Sequence, residues 1–333
     1  MSKWIVRFSL KVLSWSLGLV GLAALALTAL IAVPLARLPE LTSISQSARA
    51  VDRSSMPPLS RFSARDGTEL AYRHYPARGT SSGKIAVLVH GSSGSSASAH
   101  ALADALAARG VETYAPDIRG HGGSGTRGDI AYAGQLENDM ADLVALVRKS
   151  SPNEPLTLLG HSAGGGFALR IAASPIQGLF VRTVLLAPYL GYDAPTTRPA
   201  SGGWASADIP RFFGLTALRK IGIDCCETLP TLAFAVPANS ERILNAHYSY
   251  RLMRNFATRG YQADFAAAHH PITLISGASD ELMLADKYAD AVHAVAPSVE
   301  VKLIDGVDHM GIVCNAQAVA AVADDVANTR IGS

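Results

Sequence analysis

A hydroxyl nucleophile, a base and an acid lie along this chain in an order suited to acyl transfer. Ser162 sits in Gly160-His161-Ser162-Ala163-Gly164, a G-x-S-x-G pattern. The apolar run Leu156-Thr157-Leu158-Leu159 precedes it, and a helical pattern from Phe167 to Ala173 follows it. A serine on so tight a strand-to-helix turn takes a strained backbone angle, and the residues two before and two after must be small to avoid collision. The turn pushes Oγ out of the sheet edge and sets the N-terminal amides of the next helix beside it. In a chain with 29 glycines the five-residue pattern alone is weak; the strand before it and the helix after it give it weight.

A serine hydroxyl is a poor nucleophile near neutral pH and needs a base, which in turn needs an orienting acid. In a strand-turn-helix setting the acid follows the serine and the histidine comes last. Two C-terminal strand patterns supply candidates at their ends. Leu274-Ile275-Ser276 leads to Gly277-Ala278-Ser279-Asp280, and Leu303-Ile304 leads to Asp305-Gly306-Val307-Asp308-His309. Asp280 as acid and His309 as base are the preferred pair. Glu281 is adjacent but points elsewhere on a tight turn, Asp308 diverges from its neighbour His309, and Asp305 caps the turn. For the oxyanion of a tetrahedral intermediate, the N–H of Ala163 and that of Ser92, on the glycine-rich loop after His90-Gly91, are the expected donors. His90 and His161 are read as local packing or hydrogen-bonding groups, and His269 and His270 as solvated.

The elements that must position these groups alternate. Leu59–Ala64 and Glu69–Tyr75 flank Asp66-Gly67, a common hairpin turn pair. Lys84–Val89 is a continuous apolar run typical of a strand covered on both faces. Helix Ala97–Arg109 with a Gly110 cap, strand Val111–Ala115, a helix marked by Leu136, Met140, Leu143, Val144 and Val147, and strand Thr183–Ala187 follow. Strands Pro271–Ser276 and Val299–Ile304 and a closing helix Gln317–Ala327 complete the series. This predicts an α/β chain with a doubly wound, mostly parallel sheet over 59–333. Residues from Pro188 to about Ala268 break the alternation and are rich in aromatics. They are expected to form a mostly helical insertion, about 190–268, able to cover a site at the carboxyl ends of the strands.

Composition narrows the function classes. The chain has 333 residues, 49% hydrophobic and 17% charged, with net charge +2. No basic block suggests nucleic acid. Cys225, Cys226 and Cys314 have no zinc-ligand spacing; either Cys314 bridges one of its two distant partners or all three are thiols. Lys3, Arg7 and Lys11 lead an uncharged run from Val12 to Ala36, long enough for a transmembrane helix. It is longer than the apolar region of a cleaved signal peptide, and Pro34-Leu35-Ala36-Arg37-Leu38 is a poor cleavage site. Residues 1–37 are therefore expected to be an uncleaved signal anchor and 38–58 a linker. The basic N-terminus stays inside, which puts the catalytic domain on the extracytoplasmic side, periplasmic in a bacterium.

These residues resemble the α/β-hydrolase superfamily over 59–333, the insertion apart. Asp117-Ile118-Arg119-Gly120-His121-Gly122-Gly123-Ser124 is similar to the D-x-R-G-H-G-x-S run of its monoacylglycerol lipase and lysophospholipase branch, which also includes proline-iminopeptidase-like enzymes. The resemblance implies a serine hydrolase with a lid in the insertion and no cofactor. A membrane-tethered ester hydrolase for lipid-like acyl esters is the expectation. The rivals are an N-terminal exopeptidase, whose amine-binding carboxylates would come from Asp208, Asp224, Glu227 and Glu241, and a non-catalytic binding protein on the same fold.

Overall fold

The computed structural model describes residues 3–238, 240 and 244–329. The strands are β1 (Ser60–Ser63), β2 (Glu69–Tyr75), β3 (Lys84–Val89), β4 (Val111–Pro116), β5 (Leu156–His161), β6 (Arg182–Leu186), β7 (Ala205–Ala207), β8 (Pro230–Phe234), β9 (His247–Ser249), β10 (Ile272–Gly277) and β11 (Glu300–Ile304). Eight of them form one sheet in the order β1-β2-β4-β3-β5-β6-β10-β11. From β4 to β11 all neighbours are parallel; β2 runs antiparallel to both β1 and β4. The β1–β2 turn is closed by Asp66, whose carboxylate accepts the Thr68 amide, and by Gly67 at φ 80°.

The central strands lack alternation because both faces are covered. Ile85 to Val89, Leu156 to His161 and Arg182 to Leu186 are buried without interruption. Each such aliphatic side chain stabilises the fold by roughly 1.5–3 kcal/mol. Helices His100–Ala108 and Ala316–Asn328 pack on each other, and helix Ala163–Ala172 packs against helix Tyr261–Ala267. The last core helix, Ala316–Asn328, starts where Asn315 caps it, its side chain accepting from the Gln317 and Ala318 amides.

The insertion departs from the helical expectation. β7, β8 and β9 form a three-stranded antiparallel sheet inside it, with helix Ile209–Lys220 between β7 and β8 and helix Tyr250–Asn255 directly after β9. These strands are three to five residues long, and β8 opens on Pro230. Runs that short carry almost no periodicity, and their ladder comes from pairing distant in sequence.

The N-terminal helix spans Lys3–Ala32, ending just before Pro34, so it begins and ends earlier than the apolar run read from sequence. Its stretch Arg7–Ala32 is long and apolar enough to cross a membrane, with mean hydropathy 2.1, a property that a signal sequence shares. Residues 38–58, expected as a linker, include helix Thr42–Ala50, with Ile44 buried, and the Leu41 amide donates to the Ala235 carbonyl. The end of the N-terminal helix also rests on the insertion. Arg211 Nε donates to Ile31 O at 2.9 Å, and a Cβ at Gly214 would lie 3.1 Å from Ile31 Cγ1. All three cysteines are thiols; the two close to each other are the neighbours Cys225 and Cys226, Sγ to Sγ 2.8 Å, rather than Cys314 and either of them.

Candidate active site

Ser162 lies between β5 and helix Ala163–Ala172 at φ 55° and ψ −119°. A non-glycine residue tolerates that conformation only where its surroundings over-determine it. Here the Ser162 amide donates to Leu186 O, and the Ser162 carbonyl accepts from the Gly165, Gly166 and Tyr189 amides. The flanking glycines are required by backbone rather than by side chains. A Cβ at Gly160 would run into the Gly164 carbonyl oxygen, and one at Gly164 into the His90 carbonyl oxygen. The Gly91-Ser92 loop closes directly over the serine, since a Cβ on Gly91 would lie 3.3 Å from Ser162 Cβ. Ala163 opens the helix, where amides have no intrahelical acceptor.

Asp280 and His309 stand on the loops after β10 and β11 and meet there. His309 Nδ1 is 2.8 Å from Asp280 Oδ2, and both side chains are buried. The other carboxylate oxygen, Oδ1, accepts the Leu282 and Met283 amides at 2.8 Å each. Burial works to raise the Asp280 pKa, but the His309 imidazole and these amides outweigh it and hold it below the ordinary value. Glu281 does not reach the imidazole; its Oε2 accepts the backbone amide of His309 at 2.9 Å, which fixes the loop. Asp308 turns away to accept the Gly311 amide. His161, next to the serine, packs its ring 4.9 Å from that of His309 and donates from Nε2 to His309 O at 3.1 Å. Asp280, His309 and the elbow that carries Ser162 thus come together at one end of the parallel strands.

Groups of the insertion to which the sequence assigns no site role also reach this place, two of them side chains and the third the main chain of Asn245. Trp204 donates from Nε1 to Ser92 Oγ at 2.9 Å. Tyr248 and Asn245 bond the next residue, Ser93. No spacing signal marks them, because they arrive from the insertion through tertiary contacts.

Three fully buried imidazoles surround the loops. Loss of water holds His90 and His121 below the ordinary 6.5, His121 well below, and lowers His161 to about 3 with help from nearby His309. His90 is neutral with its proton on Nδ1, because Nε2 accepts the Ile118 amide. As pH falls below 6.5 the unfolded chain takes up these protons before the folded one does. Stability that is complete above that pH is therefore lost progressively below it, with a limiting slope of about 1.4 kcal/mol per pH unit per histidine. Urea midpoints measured from pH 7.5 down to 5.5 are expected to fall steeply. A flat profile would mean the imidazoles are hydrated or charged in the fold.

Among the described residues no group of His, Cys, Asp and Glu is arranged to hold a metal ion. A family model described as serine aminopeptidase S33 matches residues 80–313. The chain belongs to this family. Its fold is that of an α/β-hydrolase, and the proteins it is similar to include monoglyceride lipases. It is 34% identical to a monoacylglycerol lipase of Mycolicibacterium smegmatis over 90 residues, 27% of this chain and 32% of that one. It is 31% identical to the human monoglyceride lipase over 152 residues, 45% of this chain and 48% of the relative. The aligned stretches thus span less than half of either curated relative. A soluble variant of monoglyceride lipase from Saccharomyces cerevisiae shares the fold at 18% identity, TM-score 0.61, over 83% of this chain and 95% of that one. In this α/β-hydrolase the D-x-R-G-H-G-x-S run is a loop scaffold. Asp117 accepts the Ser96 and Gly123 amides, Arg119 pairs with Asp139, and Ser124 Oγ accepts the Ala71 amide.

Proposed function

We propose that this protein is a membrane-anchored serine hydrolase that cleaves carboxylic esters of lipid-like molecules. The observation that carries the reading is the buried Asp280–His309 pair, set at the strand ends beside a serine held in a strained turn. Ser162 Oγ attacks the ester carbonyl carbon while His309 Nε2 takes its proton; Asp280 holds the proton on Nδ1 and stabilises the imidazolium. The N–H groups of Ala163 and Ser92 receive the oxyanion. The intermediate collapses, the C–O bond to the alcohol breaks, and His309 returns the proton to the leaving oxygen. Water then attacks the acyl-enzyme with His309 again as base, releasing the acid and restoring Ser162.

The insertion acts as the lid. Its exposed Ile209, Phe213 and Ile221 lie on the segment that meets the N-terminal helix, which suits amphiphilic substrates. That helix spans the membrane, with Lys3, Arg7 and Lys11 on the inner side and the catalytic domain on the extracytoplasmic side. The family model's description favours an aminopeptidase as the second reading. Its amine would need free carboxylates in the insertion. Asp208 instead caps helix Ile209–Lys220 and Glu227 pairs with Arg219, Glu241 lies outside the described residues, and Asp224, exposed, is the carboxylate left for that role.

The test is fluorophosphonate labelling of the full chain in detergent, with the modified peptide mapped, followed by p-nitrophenyl esters of increasing chain length. Phosphonate on Ser162 and turnover that rises toward longer acyl chains are expected. Labelling elsewhere, or a strict preference for short water-soluble esters, sinks the lipid-ester reading.

A further inference from the structure

Ser93 has a left-handed backbone, φ 65°, without being glycine. That conformation is unfavourable for a residue with a Cβ and has to be imposed from outside. Every polar group of Ser93 is taken by one short segment of the insertion. Its amide donates to Tyr248 OH at 2.7 Å, its Oγ donates to Asn245 O at 2.7 Å, and its carbonyl accepts the Asn245 amide at 2.9 Å.

The direction of this chain of bonds is fixed. His121 Nδ1 faces two carbonyls, Ile118 O at 3.1 Å and Arg119 O at 3.3 Å, so it carries the ring proton. His121 Nε2 is then an acceptor, and the Tyr248 hydroxyl, 2.6 Å away, donates its only proton there. The hydroxyl oxygen is left to accept the Ser93 amide. Ser93, Asn245, His121 and Tyr248 are all at most 2% exposed, so water does not replace a lost partner. The far end of the same loop is held from the core instead, where the Ser96 amide donates to Asp117.

We infer that Tyr248 and Asn245 are positioning residues for the oxyanion loop, so that the insertion, and not the core sheet alone, sets the amide that receives the oxyanion. The inference rests on the ester-hydrolase reading for its chemical consequence, since the donor at Ser92 immediately precedes the clamped residue. It also means that lid and oxyanion hole are one mechanical unit. Displacing β9 together with Asn245, two residues before it, removes the bonds that hold Ser93 in its strained conformation.

The decisive variant is Tyr248→Phe. It keeps the edge-to-face packing of the ring against Phe234, centroids 4.6 Å apart, and against His121 at 5.1 Å, and removes only the hydroxyl. Turnover of p-nitrophenyl butyrate is measured per fluorophosphonate-titrated site, beside the affinity of a trifluoromethyl ketone, which mimics the oxyanion. The expected result is a kcat lower by about tenfold or more with KM changed less than about twofold, and ketone affinity weakened by the same factor as kcat/KM. Hydrogen exchange of the peptide covering residues 90–96 is expected to accelerate by about tenfold or more, a readout that needs no turnover. Ser93→Ala, which removes the bond to Asn245 O from the loop side, is expected to move all three readouts the same way. Unchanged kcat per site and ketone affinity in an active wild type overturn the inference, as does unchanged loop exchange. An inert wild type whose loop exchange still accelerates in Tyr248→Phe keeps the clamp and removes the ester-hydrolase reading instead.

Discussion

Ser162→Ala is expected to lower kcat for an ester substrate by about five orders of magnitude, leaving the small residual rate that oxyanion donors and binding supply on their own. The size follows from the acyl-enzyme route. Without Oγ no covalent intermediate forms, and His309 can only assist direct attack by water, on a carbonyl placed for a different nucleophile. The fold has little reason to change. The backbone bonds of residue 162, its amide to Leu186 O and its carbonyl to the Gly165, Gly166 and Tyr189 amides, do not involve the hydroxyl, and alanine keeps the Cβ that already tolerates φ 55°. A melting temperature close to that of the wild type is therefore part of the prediction, and calorimetry beside steady-state kinetics checks both halves. Turnover within a hundredfold of wild type would place the nucleophile elsewhere.

Asp280→Asn is expected to cost about a thousandfold or more in kcat, again with the fold retained. The two amides of Leu282 and Met283 can only donate, so an asparagine must present its carbonyl oxygen to them, in the place of Oδ1. Its NH2 group then faces His309 Nδ1, 2.8 Å away in the native pair. That nitrogen is forced to accept, which moves the imidazole proton to Nε2. Nε2 is the atom that has to take the proton of Ser162, so the base is lost by a change of tautomer, with hardly an atom displaced. Asp280→Ala differs in kind, because it leaves buried donors without partners, at about 1–3 kcal/mol each. A kcat for Asp280→Asn within tenfold of wild type would shift the orienting role to Glu281 or Asp308.

The parallel sheet was legible in the sequence because its strands are long apolar runs such as Lys84–Val89, covered on both faces, separated by helices with clear apolar stripes. The order Ser162, Asp280, His309 was legible for a topological reason: each residue stands just past a parallel strand, and strand ends are visible where apolar runs give way to Gly and Asp. The sheet β7-β8-β9 was not, since its strands are too short for a period to register and pair across distances no local pattern encodes. Its place on a tight turn points Glu281 away from the imidazole; the structure gives it a backbone partner, the His309 amide, that side-chain spacing cannot announce. The same holds for Tyr248, whose hydroxyl accepts the main-chain amide of Ser93, and for Asn245, which meets Ser93 through its own main-chain amide and carbonyl. Main-chain groups are the same at every position, so nothing in residue type marks where they will be met.

The seat of the N-terminal helix on the insertion bears on how the protein is to be trimmed for purification. Removing everything before Leu41 keeps the Leu41 bond to Ala235 and the helix Thr42–Ala50, but it deletes Ile31. The Arg211 guanidinium, 5% exposed as a residue, then loses one of its carbonyl acceptors and keeps Pro230 O, and the close-approach surface at Gly214 opens to solvent. A shortened protein is thus altered at the insertion, 170 residues along the chain from the cut at Leu41 to Arg211. Its kinetics report on that altered surface as well as on Ser162, Asp280 and His309, and the full chain is the proper reference for every rate.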